Sequence, residues 1–236
     1  VQSIVSGEES EFLDRHRTET VLPVNLDLRA RFNPELNKGW FGAITDVISS
    51  ITMLSIILTG AALIREREHG TIEHLLVMPV KPFEIMMSKV WSMGLVVLVA
   101  SGLSLVFVVQ GLLSVPTNGS ALLFMTGAAL DIFAMTCLGI FLATIAGSMP
   151  QFGLLLMMVL LPLQLLSGGV TPRESMPDII QAIMFAAPNT HFVILAQAVL
   201  FRGAGLSVVW PQLAALLAIG TGLFAFSLRR FRQFLR

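Results

Sequence analysis

His69, Glu73 and His74 come nearest, in type and spacing, to a metal or catalytic site in this sequence. Helical zinc sites place two imidazoles four residues apart on one face and use a nearby glutamate to move a proton. Here the imidazoles are five apart, which puts them about 140° from one another around a helix. Gly70 also interrupts any continuous helix between them. His16 and His191 add no neighbouring ligand, and no serine, histidine and carboxylate fall together for nucleophilic catalysis. The single cysteine, Cys137, lies in an apolar run, which excludes a disulfide within the chain and a thiolate metal cluster. The sequence holds no G-x-x-x-x-G-K-[ST] loop to cradle nucleotide phosphates. No catalytic, metal or cofactor-binding residue is therefore expected on this chain, and any ATP chemistry belongs to a partner.

Two carboxylates carry a different kind of chemistry. Asp46 and Asp131 interrupt apolar stretches, and an ionisable group in a bilayer is costly unless it faces a bundle interior or a wet cavity. Asp46 lies close enough to the end of its stretch to be hydrated without a role. Asp131 lies about midway along its stretch and is the candidate pathway or gate residue. It would serve as the carrier of a proton-coupled secondary transporter, or make a structural hydrogen bond to a hydroxyl such as Thr126 or Thr136.

These side chains need membrane spans to position them. Five stretches approach the roughly 20 apolar residues that cross a hydrocarbon core of about 30 Å: 40–64, 90–113, 121–146, 152–167 and 210–228, the fourth being the shortest. Charged residues make up 13% of the 236, against about 25% in a soluble domain. Their distribution is uneven, since 12 of the 30 fall in residues 1–39. Zero net charge gives no basic face for nucleic acid. Residues 65–89 carry Arg65, Arg67, Lys81 and Lys89, and the tail carries Arg229, Arg230, Arg232 and Arg236. Five spans put these two segments on one side, which the positive-inside rule makes cytoplasmic, leaving 1–39 outside. Trp40, Trp91 and Trp210 fall at the ends of these stretches, where an amphipathic ring suits the headgroup level. The chain starts at Val1 without a signal-like run and reads as a fragment or processed product.

The stretch IREREHGTIEHLLVMPVKPFEIMMSK, 64–89, is the most informative. Its interspersed charges stop a span, and Gly70 suits a helix end. Thr71 can cap a second short helix whose apolar face is Ile72, Leu75, Leu76 and Met78, with Pro79 and Pro82 ending it. That face must bury against lipid or a partner protein. The mixed charges Arg65, Glu66, Arg67, Glu68, Glu73 and Glu84 suit a protein surface better than anionic lipid, which favours a Lys/Arg excess.

Glu68, Gly70, Thr71, Glu73, Leu75 and Pro79 match an E-x-G-T-x-E-x-L-x-x-x-P pattern, and in this the chain resembles the permease subunits of type-2 ABC exporters of the drug and polysaccharide kind. RARFNPELN, 29–37, is similar to the segment closing that family's external domain, and LLSGGVTPRESMP, 165–177, to its outside turn after the fifth helix. The resemblance implies an all-α polytopic membrane protein with six helices in the full chain. Five transmembrane helices would lie here, the first helix and most of the external domain being absent. It implies that 1–39 end an external, periplasmic domain and that 40–236 form the transmembrane permease domain of a bacterial inner-membrane protein. The helix after Gly70 would be a cytoplasmic coupling helix docking on a separate ABC ATPase, which holds ATP and Mg. Glu66, Glu68, Gly70, Thr71, Glu73, Leu75, Leu76 and Pro79 would be the ATPase-coupling residues. Two permease subunits, identical or related, would pair within the membrane lipids to export a hydrophobic or amphipathic substrate.

The segment after the fourth stretch fits an external re-entrant hairpin. Gly168 and Gly169 break the helix, Pro172 and Pro177 frame a turn, and Asp178 caps a helix over 179–187. Pro188 then separates a second apolar run, 191–201. Gly168, Gly169 and Pro172 are candidate gate residues. Gly139, Ala143 and Gly147, and likewise Ala214, Ala218 and Gly222, form small-residue stripes expected to pack helices or line a dimer seam. A secondary transporter using Asp131, and a membrane scaffold whose loop recruits a cytoplasmic partner, are the alternative functions.

Overall fold

A computed structural model describes residues 38–70, 80–112, 119–171 and 175–234, with backbone alone at 38–41 and 234. The chain divides into two units between Leu36 and Asn37, and every described residue lies in the second. All regular structure among the described residues is helical.

Helix α1, Lys38–Glu68, has 31 residues, about 46 Å of helix, so it outruns a hydrocarbon core of about 30 Å and carries its charged last turn past one face. Gly70, at φ +71°, ends the chain's helical course by taking a left-handed conformation that a side chain would oppose. Helix α2, Pro82–Leu103, continues with π-helical geometry through Leu112. Helices α3, Ala121–Ile145, and α4, Met149–Leu166, are joined by a three-residue turn. Helices α5, Asp178–Met184, and α6, Pro188–Leu200, are bent by 91° to one another. Helix α7, Leu206–Phe234, closes the bundle.

Five helices are long and apolar enough to span a membrane. All five stretches expected from sequence are present, but some ends differ. Helix α2 begins at Pro82, eight residues before the apolar stretch, because Pro82 suits the first turn and Glu84 accepts a hydrogen bond from the Lys81 N–H at 2.8 Å. Hydropathy marks where apolar residues begin, whereas a helix runs on through water as long as its ends are capped. Trp91 consequently lies inside α2 rather than at its end, and is 70% exposed.

Helices α1, α3 and α7 run one way, and α2 and α4 run back. The ends that meet residues 69–81 form the loop end, and the opposite side is the hairpin end. Helix α3 is the most deeply buried span. Its half toward the hairpin end packs Phe124, Ala128 and Ile132 with Ile48, Phe192 and Val199, while its half toward the loop end packs Met135 and Ile140 with Ile56, Met86 and Phe231. Gly139 admits α1 closely: a Cβ there would meet the Ile56 carbonyl oxygen at 2.6 Å. The second stripe, expected to pack helices or line a dimer seam, faces away from the bundle. Ala214, Ala218 and Gly222 are exposed, and Gly220 is the α7 glycine that meets a neighbour, the Phe133 ring.

The short helices follow from a length mismatch. Helix α4 has 18 residues against 25 in α3, so it ends about 10 Å short of the hairpin end. Helix α6 fills that outer space. It has 13 residues, too few to cross a bilayer alone, and nearly all of them are buried. Backbone that breaks at membrane depth must be covered by protein, as α6 is. Pro177, rather than Asp178, is the N-cap of α5, and Asp178 instead takes the first helical position, where a carboxylate favours the helix dipole.

Candidate functional site

Asp131 is wholly buried at mid-bundle, and its neighbours come from other helices. The Thr52 hydroxyl of α1 lies 3.2 Å from Asp131 Oδ2, 3.0 Å from Asn189 Oδ1 of α6 and 3.3 Å from the Ile48 carbonyl. Asn189 Nδ2 donates to the Leu163 carbonyl of α4 at 2.9 Å, which fixes the amide with its oxygen toward Thr52. One buried node thus joins α1, α3, α4 and α6. A hydroxyl has one proton to give, so three acceptors around Thr52 leave the node short of donors. Asp131 Oδ1 has no hydrogen-bond partner, nor do the buried hydroxyls of Thr136 and Thr190.

The expected partners of Asp131 are not its partners. Thr126 donates to the Leu123 carbonyl at 2.8 Å, and Thr136 lies five residues away, about 140° around the helix. Thr52 and Asn189 escaped the sequence reading because nothing local links positions 79 and 58 residues from Asp131. Their signal was available only as polar residues in otherwise apolar segments. Asp46, by contrast, is exposed.

At the loop end, three consecutive residues of α1 meet three different elements. Glu66 pairs with Lys89 of α2, whose side chain is only 12% exposed. Arg67 Nη1 donates to the Ala146 carbonyl, at the C-terminal cap of α3, at 2.9 Å. Glu68 Oε1 accepts from the Met149 N–H, the first residue of α4, at 3.0 Å. Ser148 makes no side-chain cap there, so Glu68 caps α4 from another helix. A cation at a helix C-terminus and an anion at an N-terminus both match the helix dipole, each contributing about 0.3–1 kcal/mol. Such energies are small beside those of core packing, and the contacts set position more than stability.

The other site residues named from sequence divide as follows. Gly70 terminates α1. Thr71, Glu73, Leu75, Leu76 and Pro79, with the proposed coupling helix and the imidazole of His74, lie outside the described residues, as does Pro172. Gly168, at φ +95°, ends α4 as expected, and a Cβ on Gly169 would press on Thr45 of α1 at 3.3 Å. Within α6, His191 Nε2 contacts the Phe185 carbonyl at 2.8 Å, and the two rings stack edge to face, holding the bend after α5. Among the described residues no group of His, Cys, Asp and Glu is placed to hold a metal.

Two apolar recesses flank α3. One, of about 240 Å³, opens between α2 and α3 against Trp91, Leu95, Ile132 and Phe133. The other, of about 820 Å³, lies between the start of α3 and the α6–α7 turn against Leu122, Thr126, Leu130 and Leu206.

Five apolar helices and a bent helical pair, with charges gathered at the loop end, define a multi-pass helical membrane protein. Residues 37–201 match the ABC-2 type transporter family, and the chain belongs to it. It is 61% identical over 233 residues to the inner membrane transport permease YhhJ of Escherichia coli K12, covering 99% of this chain and 62% of that protein. It is 28% identical over 237 residues to the probable multidrug ABC transporter permease YbhR of the same organism, covering 98% of this chain and 62% of that protein. To the probable multidrug permease YbhS it is 29% identical over 189 residues, 76% of this chain and 48% of that protein. The chain therefore spans less than two thirds of the length of these relatives.

Proposed function

We propose that the chain is the membrane permease subunit of an ATP-driven exporter, coupled through residues 65–89 to a separate ABC ATPase that holds ATP and Mg. The observation that carries this reading is membership of the ABC-2 family across 37–201, the region that contains the charged loop. Its likeness to YbhR and YbhS, probable multidrug permeases by name, supports outward transport. The apolar recesses beside α3 support a hydrophobic or amphipathic substrate. In this reading the loop and the C-terminus are cytoplasmic, residues 1–39 close an external domain, the membrane is the bacterial inner membrane, and two permease subunits pair.

The test is reconstitution of the full-length protein with its candidate ATPase in proteoliposomes. Transport of a hydrophobic dye should require ATP, and Leu76→Asp or Glu73→Arg, in the docking loop, should abolish it by releasing the ATPase. ATP-independent transport would refute the reading.

One observation favours a second reading. The node at Thr52, Asp131 and Asn189 is short of donors, and an added proton would meet that shortage. A proton-coupled transporter would move substrate on a proton gradient without ATPase and lose that activity on Asp131→Asn.

A further inference from the structure

Movement of the loop reaches the bundle through the chain itself, into α1 and α2, and through the contacts that hold the end of α1 to its neighbours. Glu66, Arg67 and Glu68 supply three, one each to α2, to the end of α3 and to the start of α4. The turn between α3 and α4 is three residues long, and Gln151 Oε1 accepts from the Gly147 N–H within it, so the two helix ends move as one piece. Arg67 and Glu68 grip that piece from both sides, with the charge each helix end favours. The same three helices, α1, α3 and α4, carry Thr52, Asp131 and the Leu163 carbonyl of the buried node. Asp131 lies 15 residues up α3 from Ala146, about 22 Å away along one rigid helix.

We infer that Glu66, Arg67 and Glu68 form a transmission clamp, passing displacement of the 69–81 loop to α2 and to the α3–α4 turn, and through α1, α3 and α4 to the buried node. The inference rests on the exporter reading, because a partner must move the loop. It assigns these three residues a positioning role: they carry motion away from the docking surface. An ATPase should therefore bind without the clamp but fail to drive transport.

The test uses full-length protein and its ATPase in proteoliposomes, with Glu66→Lys, Lys89→Glu, the exchanged pair, and Glu68→Gln as a milder variant. Glu66→Lys and Lys89→Glu should each lower transport per ATP hydrolysed about tenfold, within the range of coupling between sites, and Glu68→Gln, which keeps an acceptor for the Met149 N–H, by less. The ATPase should still copurify with each variant, so that the loss falls on transport rather than on binding. The exchanged pair should recover most of the lost coupling, which assigns the loss to the Glu66–Lys89 contact rather than to either new side chain. Leu76→Asp, in the loop itself, should instead lose the bound ATPase. Parent-level coupling in the single variants, or no recovery in the exchanged pair, overturns the clamp. Failure of the parent protein to bind any ATPase overturns the exporter reading beneath it, and the two failures are distinct.

Discussion

Thr52 offers one hydroxyl proton to three acceptors. Thr52→Val removes it and leaves Asp131 and Asn189 facing one another through an apolar methyl. Hydrogen bonds between transmembrane helices average about 0.6 kcal/mol and reach about 1.7. A loss of about 1–2 kcal/mol is expected, read as a lower unfolding midpoint in detergent. Thr59→Val is the control, since its hydroxyl bonds only the Ser55 carbonyl of its own helix at 2.9 Å, and should cost less. An equal shift in both variants would count against the node. Asp131→Asn adds amide donors at the place that lacks them, so its stability should hold or rise. The carboxylate itself was legible as a charge in an apolar run, but its partners were not. A neighbour 79 residues away leaves no periodicity to find, and the nearby Thr126 and Thr136 point off its face.

Helix packing gives two glycines of the apolar spans opposite roles. A Cβ on Gly139 would lie 2.6 Å from the Ile56 carbonyl, a backbone atom that cannot swing aside, whereas Gly153 has nothing within 4 Å. Gly139→Ala should push α1 from α3 at a cost of about 1–3 kcal/mol, the usual range for overpacking. Gly153→Ala should be neutral or gain up to about 1 kcal/mol from helix propensity. Thermal unfolding of both proteins in one detergent would show it, and equal midpoints would refute the packing account. The five spans were legible because crossing a bilayer demands length and apolarity together, a pattern strong enough to read alone. The start of α2 at Pro82 was less so, because capping rather than hydropathy sets it. The outward face of Ala214, Ala218 and Gly222 was also hidden, because a stripe of small residues does not say which neighbour it meets. The mixed charges of 66–68 suit a partner surface in sequence, and their contacts with three helices of this chain were hidden because those partners lie 23 to 81 residues away.

At the scale of the molecule, the proposed direction of export and the proposed clamp both depend on which side of the membrane the loop end faces. Antiparallel neighbours put 69–81 and the end of α7 on one side, and the α6–α7 turn on the other. Cations near the membrane favour the first side as cytoplasmic, with Arg65, Arg67, Lys81 and Lys89 beside the loop and Arg229, Arg230 and Arg232 at the end of α7. Cysteine labelling tests this cleanly because the native thiol, Cys137, is wholly buried. In a Cys137→Ala background, Lys81→Cys and Arg230→Cys place single thiols at exposed positions of the loop end, and Arg202→Cys places one at the hairpin end. A membrane-impermeant maleimide added to intact cells should label Arg202→Cys alone. Inside-out vesicles should reverse the pattern, labelling Lys81→Cys and Arg230→Cys. The reverse result in cells would put the loop outside, beyond reach of any cytoplasmic ATPase, and would remove the clamp's source of movement along with the proposed direction of export.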